Sequence, residues 1–295
     1  MDLLLSGGHF YEGARWHDGH FWVSDLYAGQ VLKITPDGHA RVVVKLDDQP
    51  SGLGWLPDGT LLVVGMKSRS LWKCPEGETP KLHADITALT GGFANDMVVD
   101  GKGRAYVSNL GFDLFTGAPP ARTTLVRVDP DGRSTIVADG LQFPNGLVIS
   151  PDGRTLIVAE TFGGRLTAFT IEDDGSLSDR RCWAQLGREP SWESVHSLLD
   201  TDFAPDGCAI DEEGCVWVAD ALHGRVVLVA EGGDIREQIK APDDLGLYSC
   251  ALGGHDGRTL ILCTAPDFDD AKRKSSAMAR LYSTKVEIPS WIVVE

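Results

Sequence analysis

NGLVISPDGRTLIVAE, residues 145–160, holds one complete hairpin phrase. A polar residue and a glycine open a short apolar run. Pro151, Asp152 and Gly153 then turn the chain, and a second apolar run follows. Runs this short, rich in Val, Ile and Leu and bounded by Gly and Pro, read as paired strands rather than helix. The phrase returns as EGARWHDGHFWVSD (12–25), SGLGWLPDGTLLVVG (51–65), NDMVVDGKGRAYVSN (95–109), DGCAIDEEGCVWVAD (206–220) and SCALGGHDGRTLILCT (249–264). Its openings, Glu12, Ser51, Asn95, Asn145, Asp206 and Ser249, are 39, 44, 50, 61 and 43 residues apart. A period near forty built from strands and turns is that of propeller blades.

Working outward, a third strand follows in five units, ending in turns that read PDG, PEG, PDG, DDG and GG. A charged fourth strand follows each, as the outer edge of a blade requires. Four antiparallel strands in each of six units predict an all-β, six-bladed propeller, a single domain over 1–295. The sixth unit has a further strand at 279–287. The terminal stretches DLLLSG and SWIVVE are expected together in that closing blade. Residues 269–280 are at most a short helix or a surface loop. Two spacings are long because of insertions at 111–122 and 186–203, which carry Phe112, Phe115, Trp192 and Phe203. They are either ordered decoration or a wall over one face.

The net charge of −16 repels phosphate backbones and anionic membranes, so nucleic acid and membrane partners are not expected. A small-molecule substrate is, and the oligomeric state stays open. No apolar run reaches 18 residues and no signal peptide is read at the start. The six cysteines form no CxxC and four lie in or beside apolar strands, which predicts inert thiols and a cytoplasmic, reducing setting. No histidine pair has metal-ligand spacing.

In a propeller the first strand of each blade lines the axis. The six openings therefore form one ring, with two carboxylates, two carboxamides and no Lys, Arg or Cys. Each alone is an ordinary turn former. Together, two converging carboxylates call for a cation, and carboxylate with amide oxygen suits calcium, magnesium or manganese. A second polar set, Asp25, Asn109, Glu160, Asp220 and Thr264, ends the second strands. It is expected at the opposite edge of the sheets, in structural roles.

EGARW, ANDMVVDGKGR, FPNGLVISPDGRTLIVAET and PDGCAIDEEGCVWVAD resemble the gluconolactonase/senescence-marker-protein (regucalcin-like) family, and more distantly diisopropylfluorophosphatase and paraoxonase. The resemblance implies a propeller with one axial divalent cation that opens lactones. Calcium is the first expectation, with magnesium, manganese, zinc or iron(II) as alternatives. Glu12, Asn145 and Asp206 match the family's metal ligands, with Asp206 also base or nucleophile. Asn95 matches a residue that contacts substrate or completes the metal shell. Where the sugar-lactone branch has arginine, this chain has Phe93, which suits an apolar substrate. Phe93, Phe143 and Trp192 are expected to receive its hydrocarbon part. Where the organophosphatase branch has histidine, this chain has Ser249. A phosphotriester hydrolase on the same metal, a non-catalytic interaction platform and strictosidine-synthase-like condensation are the alternative readings.

Overall fold

In the computed structural model, which describes residues 1–291, six antiparallel sheets of four strands surround one axis. The inner strands are Tyr11–His17, Pro50–Trp55, Ala94–Val99, Pro144–Ile149, Pro205–Ile210 and Gly246–Gly253. Each packs against the inner strand of the next blade, and the sixth against the first, so the ring is closed. The sixth blade runs outward through Thr259–Ala265 and Ala279–Lys285, and its outermost strand is the N-terminal Asp2–Gly8. The N-terminus therefore seals the ring as expected. The C-terminal stretch does not share that blade where it is described: Ser290 bridges to Asp211 of the fifth blade. With Asp2–Gly8 paired to Ala279–Lys285, the fourth place in the closing sheet is taken. The rest of SWIVVE, 292–295, lies outside the described residues.

The core sits in the seams between blades, because each sheet buries both faces against its neighbours. Trp183, Val216, Val218 and Val227 fill the seam of the fourth and fifth blades, and Leu62, Val64, Met97 and Val107 that of the second and third. Each such side chain contributes roughly 1.5–3 kcal/mol by leaving water. Charged residues stay on the outermost strands, of which Ile235–Lys240 is mostly exposed.

The glycine after an opening has a steric cause. A Cβ on Gly146 would lie 2.5 Å from the Asp206 carbonyl oxygen, and one on Gly13, at φ +58°, would lie 2.3 Å from that of Ser51. The inner strands approach too closely there for any side chain. Beside every opening the inner strand also breaks register with its partner. A bulge re-aims the residue it carries, which is how six residues within sheets come to face the axis.

Asp25, Asn109, Glu160 and Asp220 have the expected structural roles but a different place. They pair across from Tyr11, Ala94, Pro144 and Pro205, at the same edge as the openings. An antiparallel hairpin returns the end of its second strand to the start of its first. Their side chains accept hydrogen bonds from incoming backbone: Asp25 from His9 and Phe10, Asn109 from Gly91, Glu160 from Gln142, and Asp220 from Ala204. The segments that enter the ring are thus tied to its frame. All six cysteines are free, five of them buried. Asp270–Ser275 is a short helix. Among the described residues no helix is long and apolar enough to cross a membrane.

Candidate active site

Glu12, Asn95, Asn145 and Asp206 line one cavity of about 130 Å³ at the end of the axis where the inner strands begin. Asn95, Asn145 and Asp206 are buried and Glu12 nearly so. Asn95 donates from Nδ2 to Asn145 Oδ1 at 2.8 Å and accepts from the Ser51 hydroxyl at 3.2 Å. Asn145 Nδ2 donates to Thr161 Oγ1 at 3.3 Å. Ser249 accepts from the Ala14 N–H at 3.3 Å. The two serines of the ring therefore brace their neighbours, and the carboxylates and carboxamides face the cavity.

The carboxylates are held against their preference. Burial raises the pKa of Glu12 well above the usual carboxylate range, and the charges of Asp206 and Asp96 push it further. Burial also raises Asp206, reinforced by Asp96, while the Gly207 N–H and the Asn145 amide act the other way. Asp206 Oδ1 is buried and has no hydrogen-bond partner. A third carboxylate, Asp96, lies just below and is answered by Arg15, whose Nη2 reaches Asp96 Oδ1 at 2.7 Å and the Met97 carbonyl at 2.6 Å. Nothing in the sequence announces this ion pair, and its Arg15 also lines a larger cavity of about 700 Å³ further along the inner strands. That second cavity contains none of the six openings.

The residues fit a divalent cation. Among the described residues no three His, Cys, Asp or Glu side chains gather as a cluster. The donor set is instead two carboxylates and two carboxamides, which is hard-oxygen chemistry. An orphaned carboxylate oxygen and two carboxylates raised by burial and by neighbouring negative charge are the features that a cation would relieve.

Above the polar ring the cavity is apolar. The residues two before five openings are Phe10, Gln49, Phe93, Phe143 and Ala204, and all line it, with Tyr248 from the sixth blade. Phe93 and Phe143 thus lie where expected. Trp192 does not reach the cavity wall. It packs edge-on against Phe112 and Phe162 at 6.5 Å from each, and of these three rings only Phe162 lines the cavity. Both insertions contribute: Leu114 and Phe115 from the first and Leu199 from the second line the cavity. Phe10, Gln49 and Phe162 were not singled out from the sequence, although the two-residue offset that places Phe93 would have given the first two.

The sequence profile of the SMP-30/Gluconolactonase/LRE-like region matches residues 10–266. A 6-deoxy-6-sulfogluconolactonase of Pseudomonas putida is 24% identical over 91% of this chain and 87% of its own. Lactonase drp35 of Staphylococcus aureus is 26% identical over 85% and 72%. A calcium-binding regucalcin from Agrobacterium tumefaciens superposes with a TM-score of 0.74 at 19% identity, covering 99% of this chain and 97% of its own. At that identity the superposition shows the fold.

Proposed function

This chain belongs to the SMP-30/gluconolactonase/LRE-like family, and on that premise we propose that it is a divalent-cation-dependent lactonase whose substrate is apolar rather than a sugar lactone. The observation that carries the reading is the meeting, in one cavity, of the unpartnered Asp206 Oδ1 with Glu12, Asn95 and Asn145 beneath an aromatic wall. Relatives named as lactonases support the reaction class.

Glu12, Asn145 and Asp206, with Asn95 beside them, would hold the cation, and calcium suits so oxygen-rich a set. When bound, it supplies Lewis acidity to the lactone carbonyl. Asp206 Oδ1, with no competing donor, takes the proton of the attacking water. Asn95 commits one amide hydrogen to Asn145 and keeps the other to orient a substrate oxygen. Phe10, Phe93 and Phe143 hold the hydrocarbon part and exclude bulk water. Phe143 and Phe162 pack at 4.7 Å, so the wall keeps its shape. Six free thiols accord with a reducing, cytoplasmic setting.

The test is turnover by purified protein on alkyl-substituted γ- and δ-lactones, gluconolactone and paraoxon, before and after chelation. The expected result is ring opening of the alkyl lactones, lost on chelation and restored by calcium. Undiminished lactone turnover in the chelated protein would remove the cation from the mechanism. Hydrolysis of paraoxon alone would move the chain to the phosphotriester reading.

A further inference from the structure

Within the wall above the polar ring, one residue is out of character. Phe10, Phe93, Phe143 and Ala204 occupy the position two residues before their openings, and the second blade places Gln49 there. The Gln49 side chain lines the cavity and the residue is only 9% exposed. Its backbone is fully engaged: the N–H meets Asp48 Oδ1 at 2.7 Å and the carbonyl accepts from the Met66 N–H at 2.9 Å. Its carboxamide has no hydrogen-bond partner among the described residues. The amide keeps water in the open cavity, and a ligand that covered it without pairing it would cost about 1–3 kcal/mol. Packing does not require a polar side chain there, since the equivalent positions are filled by apolar residues.

We propose that Gln49 is a specificity-determining residue that hydrogen-bonds a carboxamide on the apolar arm of the lactone. The inference rests on the lactonase reading above and names its substrate more closely. A carboxamide presents one donor and one acceptor side by side, and the Gln49 side chain offers the complementary pair. Two residues of extended chain span roughly 6.5 Å. The amide therefore sits one step above the reacting carbonyl, at the level of the aromatic wall. A lactone with an acylamino substituent has this layout: ring below, amide beside Gln49 on one side of the wall, and hydrocarbon along Phe10, Phe93 and Phe143 on the other sides. A plain alkyl lactone would leave Gln49 dry and unpaired.

Two matched ligand pairs test this on the intact protein. The first is an acylamino-γ-lactone against an alkyl γ-lactone of equal chain length, compared by kcat/KM. The second is the corresponding pair of unreactive γ-lactams, compared by thermal shift and calorimetry. Wild type should favour the amide-bearing member of each pair by about five- to tenfold, carried mainly in KM. Gln49→Met keeps the length of the side chain without its hydrogen bonds, and Gln49→Leu serves if that variant is poorly folded. Either should abolish the preference, lowering affinity for the amide-bearing ligand and raising it for the alkyl one. Equal preference in wild type and variants, in both pairs, overturns the proposal. If no lactone is opened, the lactonase reading fails, and the lactam pair still decides the role of Gln49: a preference lost in the variants upholds it, and no difference removes it.

Discussion

Asn95 donates its side-chain N–H to the carboxamide oxygen of Asn145 at 2.8 Å, joining the third and fourth blades directly at the axis. Since Asn95 Oδ1 in turn accepts from Ser51 of the second blade, three blades are linked through the two carboxamides that face the cavity. Asn95→Ala should therefore cost stability as well as activity. It strands the Ser51 hydroxyl and frees Asn145, a loss of about 1–3 kcal/mol. Thermal unfolding and lactone turnover measured together should both fall, and calcium affinity with them. A variant with unchanged unfolding would mean that the bridge has no structural part.

Asp206→Asn should separate stability from function. The substitution preserves shape and removes a carboxylate that burial and the charge of Asp96 both oppose, and whose own charge burdens Glu12. The metal-free variant should unfold at a higher temperature than wild type, by roughly 2–4 °C for each kcal/mol gained. On the proposed cation reading, it should lose the rise in unfolding temperature that calcium is expected to give to wild type, and its turnover. Sites that need strained charges commonly trade stability for activity in this way. Differential scanning calorimetry with and without calcium reads both effects.

Arg15 and Asp96 should show strong coupling. Arg15→Met leaves Asp96 buried without its partner, and breaking a buried pair from one side costs about 3–5 kcal/mol. Arg15→Met with Asp96→Asn removes both charges and should recover most of that loss. Chemical denaturation of the two single variants and the double variant gives the coupling energy. Additive losses would show that the pair at 2.7 Å contributes nothing of its own.

The repeat made the fold legible because the phrase of 145–160 carries its own turn and both flanking strands, and it recurs with little change. The polar ring was legible for the same reason: superposing the phrases superposes Glu12, Asn95, Asn145 and Asp206. What the phrases could not carry was pairing between distant segments. Arg15 lies in EGARW and Asp96 in NDMVV, and neither stretch hints that the two residues meet across the axis. Trp192 was misplaced because an insertion without a repeat has no register to fix the direction of a side chain. The edge occupied by Glu160 and Asp220 was misread for a different cause, since it follows from hairpin geometry alone.

Gly146→Ala should disable the site from outside it. The new methyl would stand 2.5 Å from the Asp206 carbonyl oxygen, and that neighbour is backbone, so it cannot turn aside. The fourth and fifth inner strands must separate, which moves Asn145 relative to Asp206. A loss of about 1–3 kcal/mol is expected from the forced shift, together with calcium affinity reduced more than overall stability would suggest. Gly153→Ala is the control for lost glycine flexibility: it has open space around its Cβ position and φ +72°, so it should strain only its turn and spare the cation.

His17 should impose a pH dependence unrelated to catalysis. Its ring stacks on Trp55 with centroids 4.0 Å apart and 14° between planes, at the far end of the axis from the openings. Burial lowers its pKa, and Lys33 adds to the effect while Asp18 opposes it. A histidine with a depressed folded pKa binds its proton more readily when unfolded. Its contribution to stability is therefore complete above the unfolded value of about 6.5 and is lost as pH falls through the lower folded value. His17→Phe keeps the stack and removes the titration. Below pH of about 6.5 the wild type should lose stability faster than this variant, and above it the two curves should run parallel. Parallel curves throughout the acid range would show that the stacked imidazole takes up a proton as easily as in the unfolded chain.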